Sequence, residues 1–278
     1  MKRVTIGIIG ANGQMGRWFN RFFTGAGHRV LLSDLKTELR PKDIAQQSDV
    51  VTLSVPLDVA LILAREIGPV LRKEQLFMDF CSMKKDIVEA MARFSKAEVV
   101  GTHPLFGPYP VTIKGQNMIM CPQRGDYWQN WLENELRKEG AIVTHMTAEM
   151  HDRNMAVVQG LTHMLTVCLG RLLQKLNMNP KEAMLYSTPV FRIHLDLIGR
   201  ILSQDPNLYD DLIGGNRHVS EMLEEFSSVL NEGKQRLLSG NKGEGASFME
   251  EISQFFDHFC QHGLDESNKI IDAIYLKK

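Results

Sequence analysis

The stretch Val4-Thr5-Ile6-Gly7-Ile8-Ile9-Gly10-Ala11-Asn12-Gly13-Gln14-Met15-Gly16 decides how the rest of the chain is read. Apolar, β-favouring residues over Val4–Ile9 run straight into glycines, and an amphipathic segment, Gln14–Thr24, follows at once. Glycines let the backbone turn sharply and come close to a phosphate, and the helix N-terminus behind them offers N–H groups and the positive end of its dipole. The spacing is G-x-x-G-x-x-G, with Ala11 where the commoner G-x-G-x-x-G pattern could have its first glycine. Such a loop is either a dinucleotide cradle or a plain strand–helix turn. Its place after a first strand and before a helix favours the cradle. Gly10, Gly13, Gln14, Met15 and Gly16 are the candidate phosphate contacts.

Outward from this loop, short runs rich in Val, Ile, Leu or Phe recur: Val30–Leu32, Val50–Val55, Leu76–Phe80, Val99–Gly101, Asn117–Cys121 and Ala141–Met146. Amphipathic segments such as Asp58–Leu71 and Met83–Phe94 separate most of them. Buried strands alternating with helices predict an α/β domain, a mostly parallel sheet covered on both faces. The second strand ends at Asp34, where a carboxylate accepts hydrogen bonds from ribose hydroxyls and repels a 2′-phosphate. The expected cofactor is therefore NAD, although Lys36 and Arg40 are close by; an exposed turn acid is the plainer reading. Ser54-Val55-Pro56 ends the third strand at another carboxyl edge. Ser54 and Pro56 are expected to line the same cleft, with Pro56 equally readable as a helix start.

After Thr147 the texture changes to helices alone. The sequence predicts one long helix over Ala148–Leu176 with Thr147 as N-cap, and a second starting at Asn179-Pro180 and running to about Ser203. Pro206 restarts the chain, and Gly240 to Gly245 break it before a last helix. Two domains are expected, 1–147 and 148–278. Leu161, Leu165, Leu169, Leu172 and Leu176 form a stripe at helical spacing, read as core packing or, alternatively, as a dimer interface.

Composition narrows the function classes. The 278 residues carry 32 basic and 33 acidic side chains for a net charge of −1, which argues against nucleic acid or a polybasic membrane anchor as partner. Hydrophobic residues at 44% and charged residues at 23% fit an ordinary folded chain. No apolar run approaches the roughly 20 residues of a membrane span, and the N-terminus does not read as a signal peptide. Cys81, Cys121, Cys168 and Cys260 are scattered without a C-x-x-C pair, which predicts reduced thiols in a cytoplasmic protein and no metal site.

Two segments carry chemistry. Val99-Val100-Gly101-Thr102-His103-Pro104-Leu105-Phe106-Gly107-Pro108 is read as a strand delivering His103 into a loop stiffened by prolines. A neutral imidazole there suits removal of a proton from an alcohol during hydride transfer; packing of the loop is the alternative. In Asp79-Phe80-Cys81-Ser82-Met83-Lys84, Ser82 is either a hydrogen-bonding companion to that base or the N-cap of the next helix.

These residues resemble the prephenate dehydrogenase family, most closely the dehydrogenase part of the bacterial bifunctional chorismate mutase–prephenate dehydrogenase. The likeness is carried by Gly13-Gln14-Met15-Gly16, by Ser54-Val55-Pro56 and by Gly101 through Pro108. In the helical half it is carried by His151-Asp152-Arg153-Asn154-Met155-Ala156, by Arg200 through Asp205-Pro206, and by Leu208-Tyr209. The resemblance implies a Rossmann-type NAD-binding domain followed by an all-helical domain through which two copies associate. It implies oxidative decarboxylation of prephenate to 4-hydroxyphenylpyruvate, in tyrosine biosynthesis, with His103 taking the 4-hydroxyl proton and Ser82 beside it. Arg200 is implied as the carboxylate-binding arginine and Arg192 as a second candidate. The two are eight residues apart, about 80° in azimuth on a helix, and either is four residues from Asp196, so an i,i+4 pair is the alternative for each. His163 and Tyr209 match positions near the substrate, with packing as the plainer reading of each, and His151 is expected to support the site from behind. The glycine loop begins at residue 10 and no α+β segment follows the helices, so neither mutase activity nor a separate regulatory domain is expected. Arogenate and 4-amino-4-deoxyprephenate remain alternative substrates. A β-hydroxyacid-type dehydrogenase would carry a catalytic lysine on the long helix, whose only lysine, Lys175, is near its far end. A non-catalytic NAD-binding protein need not keep His103, Ser82 and Arg200 together.

Overall fold

The computed structural model describes residues 3–275, so the outermost residues of both expected domains fall outside it. The chain divides into two compact units, 1–155 and 156–278.

The first unit is built on a seven-stranded sheet: β1 Thr5–Ile9, β2 Arg29–Ser33, β3 Val50–Leu53, β4 Leu76–Asp79, β5 Glu98–Pro104, β6 Asn117–Arg124 and β7 Ile142–His145. Their order is β2-β1-β3-β4-β5-β6-β7, with β5–β6 antiparallel and every other pair parallel. Helices α1 Gln14–Gly25, α2 Pro41–Gln47, α3 Leu57–Ile67, α4 Lys85–Phe94 and α5 Tyr127–Lys138 connect the strands. Val, Ile, Leu, Phe and Met fill the sheet interior because both faces are covered. One apolar layer joins Phe19, Phe23, Met78, Trp128 and Leu132. The other joins Ile44, Ala64, Phe77, Ile87 and Met91. The order reverses between β1 and β3, and Ser33, Ile9, Leu53, Asp79 and Gly101 pair along one row. Ligands of open α/β sheets bind outside such carboxyl ends, at the switch point.

Three local expectations change. Helix α2 has no counterpart in the sequence reading: Pro41 supplies its first turn, and Asp43 accepts the Arg40 N–H at 2.7 Å. His103 is inside β5 and not in a loop, because antiparallel pairing with β6 continues through His103↔Ile119 and Pro104↔Met118. Strand pairing, more than proline stiffness, therefore fixes its backbone. The compact units divide at 155/156, eight residues after the change of texture at 147/148. Helix α6, Ala148–Met155, belongs to the first unit, with His151, Asp152 and Met155 all buried.

Thr147 does act as a cap, its Oγ accepting the Met150 N–H at 3.1 Å. The long helix is interrupted, however. α6 is followed by a π-helical segment, Ala156–Leu161, and then by α7, Thr162–Lys175. The stretch Ala148–Lys175 is, by length and composition, long and apolar enough to cross a membrane, contrary to the sequence reading that no run approaches that length. Its first two turns nonetheless carry buried, hydrogen-bonded polar side chains of the first unit, and it is followed by helices of ordinary amphipathic character.

The second unit continues with α8 Pro180–Ala183, α9 Pro189–Leu202, α10 Pro206–Gly214, α11 Val219–Leu237, α12 Glu244–Phe256 and α13 Phe259–Tyr275. The single helix expected from Asn179 to about Ser203 is two, because Thr188 caps Phe191 N–H (3.2 Å) and Pro189 cannot continue the α8 ladder. Asn179 and Asp205 cap α8 and α10 as their sequence suggests. Gly240 and Gly243 take left-handed backbone at the expected break. The leucine stripe is only partly covered: Leu165, Leu172 and Leu176 are exposed, and Leu173 is the buried residue of α7.

Candidate active site

The glycine loop is shaped by contacts a side chain would destroy. Gly10 has φ +87°, and a Cβ on it would fall 2.2 Å from the Ser54 carbonyl oxygen. A Cβ on Gly16 would fall 2.3 Å from the Gly10 carbonyl oxygen and 2.9 Å from the Ala11 Cα, so α1 packs directly on the loop. The N–H groups of Gly10 and Ala11 bond the Ser33 carbonyl at 2.9 and 3.1 Å, tying the loop to β2. Gly13 is the N-cap of α1 and no side chain among the described residues caps that terminus, while Gly13 and Gln14 are exposed and Met15 is half-buried. A smooth, uncapped helix start at the switch point is a cradle that fits a pyrophosphate. Asp34 completes it: one carboxylate oxygen accepts the Asn12 N–H and the other the Leu35 N–H, both at 2.8 Å. The acid is therefore held over the glycine loop instead of hanging from a turn. Ser54 is half-buried against Gly10, and Pro56 is the exposed N-cap residue of α3, so the helix-start reading of Pro56 holds as well.

At the other end of the same sheet edge, His103 and His151 meet. His103 Nδ1 is 2.8 Å from His151 Nε2, with the rings edge-to-face. His151 Nδ1 is 2.7 Å from Asp152 Oδ1. Asp152 also accepts the main-chain N–H of Lys84 at 2.8 Å and of Lys85 at 2.9 Å, capping α4 from 67–68 residues away in sequence. The direction of every proton follows. An ionised carboxylate only accepts, so His151 Nδ1 carries hydrogen and Nε2 does not. His151 Nε2 then accepts from His103 Nδ1–H, which leaves the lone pair of a neutral His103 on Nε2. Burial, then the neighbouring His151, then Lys84, hold His103 well below the ordinary histidine pKa. Burial also lowers His151, against the opposing pull of Asp152. Burial pushes the Asp152 carboxyl up, but hydrogen bonds from His151, Lys85 N–H and Lys84 N–H outweigh it and leave a net lowering. All three groups thus stay in the states that the chain of hydrogen bonds requires near neutral pH.

Asp152, Lys84 and Asp79 were not singled out from the sequence. Lys84 and Asp79 form a fully buried ion pair beneath His103. The signal available was the spacing Asp79-x-x-x-x-Lys84 at a strand end, which reads on its own as a surface turn. Ser82 is half-buried before α4, and the helix begins at Lys85 with Lys84 as its N-cap residue, so Ser82 is not the cap. The carboxylate of Asp152 does that work.

In the second unit, His163 and Tyr209 meet edge-on, ring centroids 5.1 Å apart, and Tyr209 Oη accepts from Gln204 Nε2 at 2.8 Å. Burial lowers the His163 pKa. Arg192 lies with its guanidinium 5.4 Å from the Tyr275 ring centroid, and its Nε is buried without a hydrogen-bond partner among the described residues. It does not form the i,i+4 pair with Asp196 that the sequence allowed. Arg200 is exposed in the last turn of α9, where its carbonyl accepts from Gln204 Nε2 and Ser203 Oγ. Among the described residues no group of three His, Cys, Asp or Glu side chains is arranged to hold a metal ion. Cys121 is buried with its thiol pushed up to about 12, and Cys81 is buried with its thiol raised further, so burial disfavours the reactive thiolate of both.

Comparison with known proteins also gives two domains, with their boundary before α6. Residues 26–145 match the nucleotide-binding domain of prephenate dehydrogenase, a match that starts after the glycine loop, and residues 147–254 match the prephenate dehydrogenase dimerization domain. A probable arogenate/prephenate dehydrogenase of Methanocaldococcus jannaschii is 31% identical over 98% of this chain, which spans 65% of that relative's length. The T-protein of Enterobacter agglomerans is 27% identical over 95% of this chain and 70% of its own. Among solved structures, prephenate dehydrogenase from A. aeolicus, in complex with hydroxyphenyl propionate and NAD+, aligns with a TM-score of 0.73 at 21% identity, covering 91% of this chain and 96% of that one. That likeness establishes the fold, and the two domain matches, running between them from residue 26 to residue 254, establish the family: the chain belongs to the prephenate dehydrogenases.

Proposed function

We propose that this chain is an NAD-dependent dehydrogenase that oxidatively decarboxylates prephenate to 4-hydroxyphenylpyruvate, acting in the cytoplasm as a homodimer associated through its helical half. The observation that carries the reading is the chain Asp152–His151–His103, which holds His103 as a neutral base with its lone pair on Nε2. That nitrogen takes the proton of the substrate 4-hydroxyl as C4 gives up hydride. Bound NAD supplies the hydride acceptor. Departure of the ring carboxylate as carbon dioxide leaves its bonding electrons in the ring, and aromatisation drives the step forward.

Around that step the remaining residues have defined tasks. Gly10, Gly13, Gln14, Met15 and Gly16 receive the pyrophosphate, Asp34 the adenosine ribose, and Ser54 and Pro56 border the cofactor. Ser82 hydrogen-bonds the reacting hydroxyl. Arg200 binds a substrate carboxylate through its planar fork. Arg192, stacked on Tyr275, is better placed to hold α13 to α9 than to bind a ligand directly. His163 and Tyr209 act as one edge-on pair that shapes the substrate pocket, and His151 orients the base. The half-exposed leucine stripe of α7, in a stretch matching a dimerization domain, supports association of two copies.

Initial rates of NADH formation with prephenate, arogenate and 4-amino-4-deoxyprephenate test the assignment. Prephenate is expected to give the highest kcat/KM, and activity on arogenate alone would overturn it. His103→Ala is expected to keep NAD binding while turnover falls by at least ~10².

A further inference from the structure

Lys84 has no part in the proton transfer just described, yet it is among the largest fully buried side chains in the protein. A buried ammonium is costly unless it is paired and hydrogen-bonded. Its Nζ ion-pairs with the Asp79 carboxylate at the end of β4 and donates to the Thr102 carbonyl at 2.8 Å. That carbonyl belongs to the peptide leading into His103. The Asp79 carboxylate in turn accepts the N–H of Cys81 at 2.9 Å and of Thr102 at 3.3 Å, and the Thr102 hydroxyl donates to the Asp79 main-chain carbonyl. At its other end, the Lys84 main-chain N–H donates to Asp152 Oδ1, the oxygen that also receives His151 Nδ1. One residue thus fastens both members of the histidine pair. It holds His103 through the preceding peptide and His151 through Asp152.

We propose that Lys84 is a positioning residue for the base: its buried ammonium locks the Thr102–His103 peptide to Asp79 and so holds the His103 imidazole in hydrogen-bonding register with His151. This deepens the reading of His103 as base and rests on it. Inert packing would need the volume of a long side chain at this point, whereas a clamp needs the charge and the donors that meet Asp79 and the Thr102 carbonyl. Among the described residues, the charged or titratable groups near His103 include His151 from α6, with Asp152 behind it, and Lys84 with Asp79 at the β4–α4 turn. Of these Lys84 is the fixed cation and opposes protonation of His103.

The test is a charge-free replacement of similar volume in the intact chain, Asp79→Asn with Lys84→Met. Apolar or neutral substitutes for a buried ion pair commonly leave stability unchanged or raised, so the double variant is expected to fold and bind NAD within about threefold of the parent. Its kcat is expected to fall by about tenfold or more with a smaller change in KM. In histidine-selective NMR the titration midpoint of His103 is expected to rise by about half a unit or more as the cation is lost. Parental kcat and midpoint together would overturn the proposal. So would loss of the fold, since the pair would then be structural. The NMR midpoint needs no turnover, so absence of activity on every substrate would defeat the dehydrogenase reading while leaving the role of Lys84 measurable.

Discussion

Asp152→Asn is the sharpest probe of the hydrogen-bond chain, because it replaces one oxygen by a nitrogen and removes almost no volume. At least three donors converge on the carboxylate: the N–H groups of Lys84 and Lys85 and His151 Nδ1–H, at 2.8, 2.9 and 2.7 Å. An amide cannot serve them all. With its oxygen at the Oδ1 position, its NH₂ faces the Lys85 N–H and one donor at the α4 start is lost. In the flipped orientation, NH₂ faces both Lys84 N–H and His151. The His151 ring must then present a lone pair at Nδ1 and hydrogen at Nε2. That hydrogen donates to His103 Nδ1 and drives the His103 proton to Nε2, the atom meant to receive the substrate proton. The folded state loses a charge-assisted cap and a charge-assisted imidazole bond, together about 1.5–3 kcal/mol. For a chain of this size each kcal/mol lowers Tm by about 2–4 °C, which gives a fall of about 3–12 °C in a circular-dichroism melt. Turnover, followed as NADH absorbance with both substrates saturating, is expected to fall by about 10² or more, the range for loss of a general base. Michaelis constants should change little, since no ligand contact is removed. A variant that melts lower as calculated but keeps kcat within about threefold would refute the tautomer argument and reduce Asp152 to a helix cap.

Other outcomes follow from separate features. Gly16→Ala places a methyl 2.3 Å from the Gly10 carbonyl oxygen, a backbone atom that cannot move aside alone; NAD affinity by calorimetry should fall by about tenfold or more, and parental affinity would mean the loop does not hold the pyrophosphate. His28 and Glu135 approach to 3.3 Å in the interior, yet His28 Nδ1, His28 Nε2 and Glu135 Oε1 have no hydrogen-bond partner among the described residues. Replacing both by leucine should leave stability unchanged or raise it by about 1–4 kcal/mol, and a fall in denaturation midpoint would contradict this. Stability should also decline on the acid side. His103 and His151 have folded pKa values below the unfolded 6.5, so the unfolded chain takes up protons first as pH falls. Their contribution is complete above about pH 6.5 and is lost toward the folded values, and Asp152 adds a second loss below about pH 4. Urea midpoints equal at pH 7.5 and pH 5 would count against buried, neutral histidines.

The sheet and its cofactor edge were legible because their signals are local. Val4–Ile9 followed by Gly10, Gly13 and Gly16 states a strand, a turn and a helix within thirteen residues. The histidine–proline segment marked His103 in the same way. Asp152 and Lys84 were not legible, since their roles arise from a contact between residues 68 apart, and a buried lysine in Ser82-Met83-Lys84-Lys85 looks like any solvated pair. The π segment Ala156–Leu161 escaped for a related reason. Its six residues have helical periodicity, and what distinguishes them is packing: a Cβ on Gly160 would come within 2.3 Å of Val219 Cγ2. Helix α2 was missed because seven residues are too few to show a period, and its signals, Pro41 and the Asp43 carboxylate, are those of a turn as much as of a helix start.

Where the chain is cut determines what survives the cut. The two family domains meet at residues 145 and 147, yet α6 folds with the first unit and supplies the acceptor for the α4 N-terminus. A fragment ending at 147 keeps the loop glycines Gly10, Gly13 and Gly16, Asp34 and His103, and loses His151 and Asp152. Such a piece retains the cofactor cradle but carries a histidine with no fixed tautomer and a helix with two unanswered N–H groups. Extending it by eight residues, to Met155, restores both. Dissection of this protein therefore has a boundary set by a hydrogen-bond chain, and fragments for isolated-domain work belong on its far side.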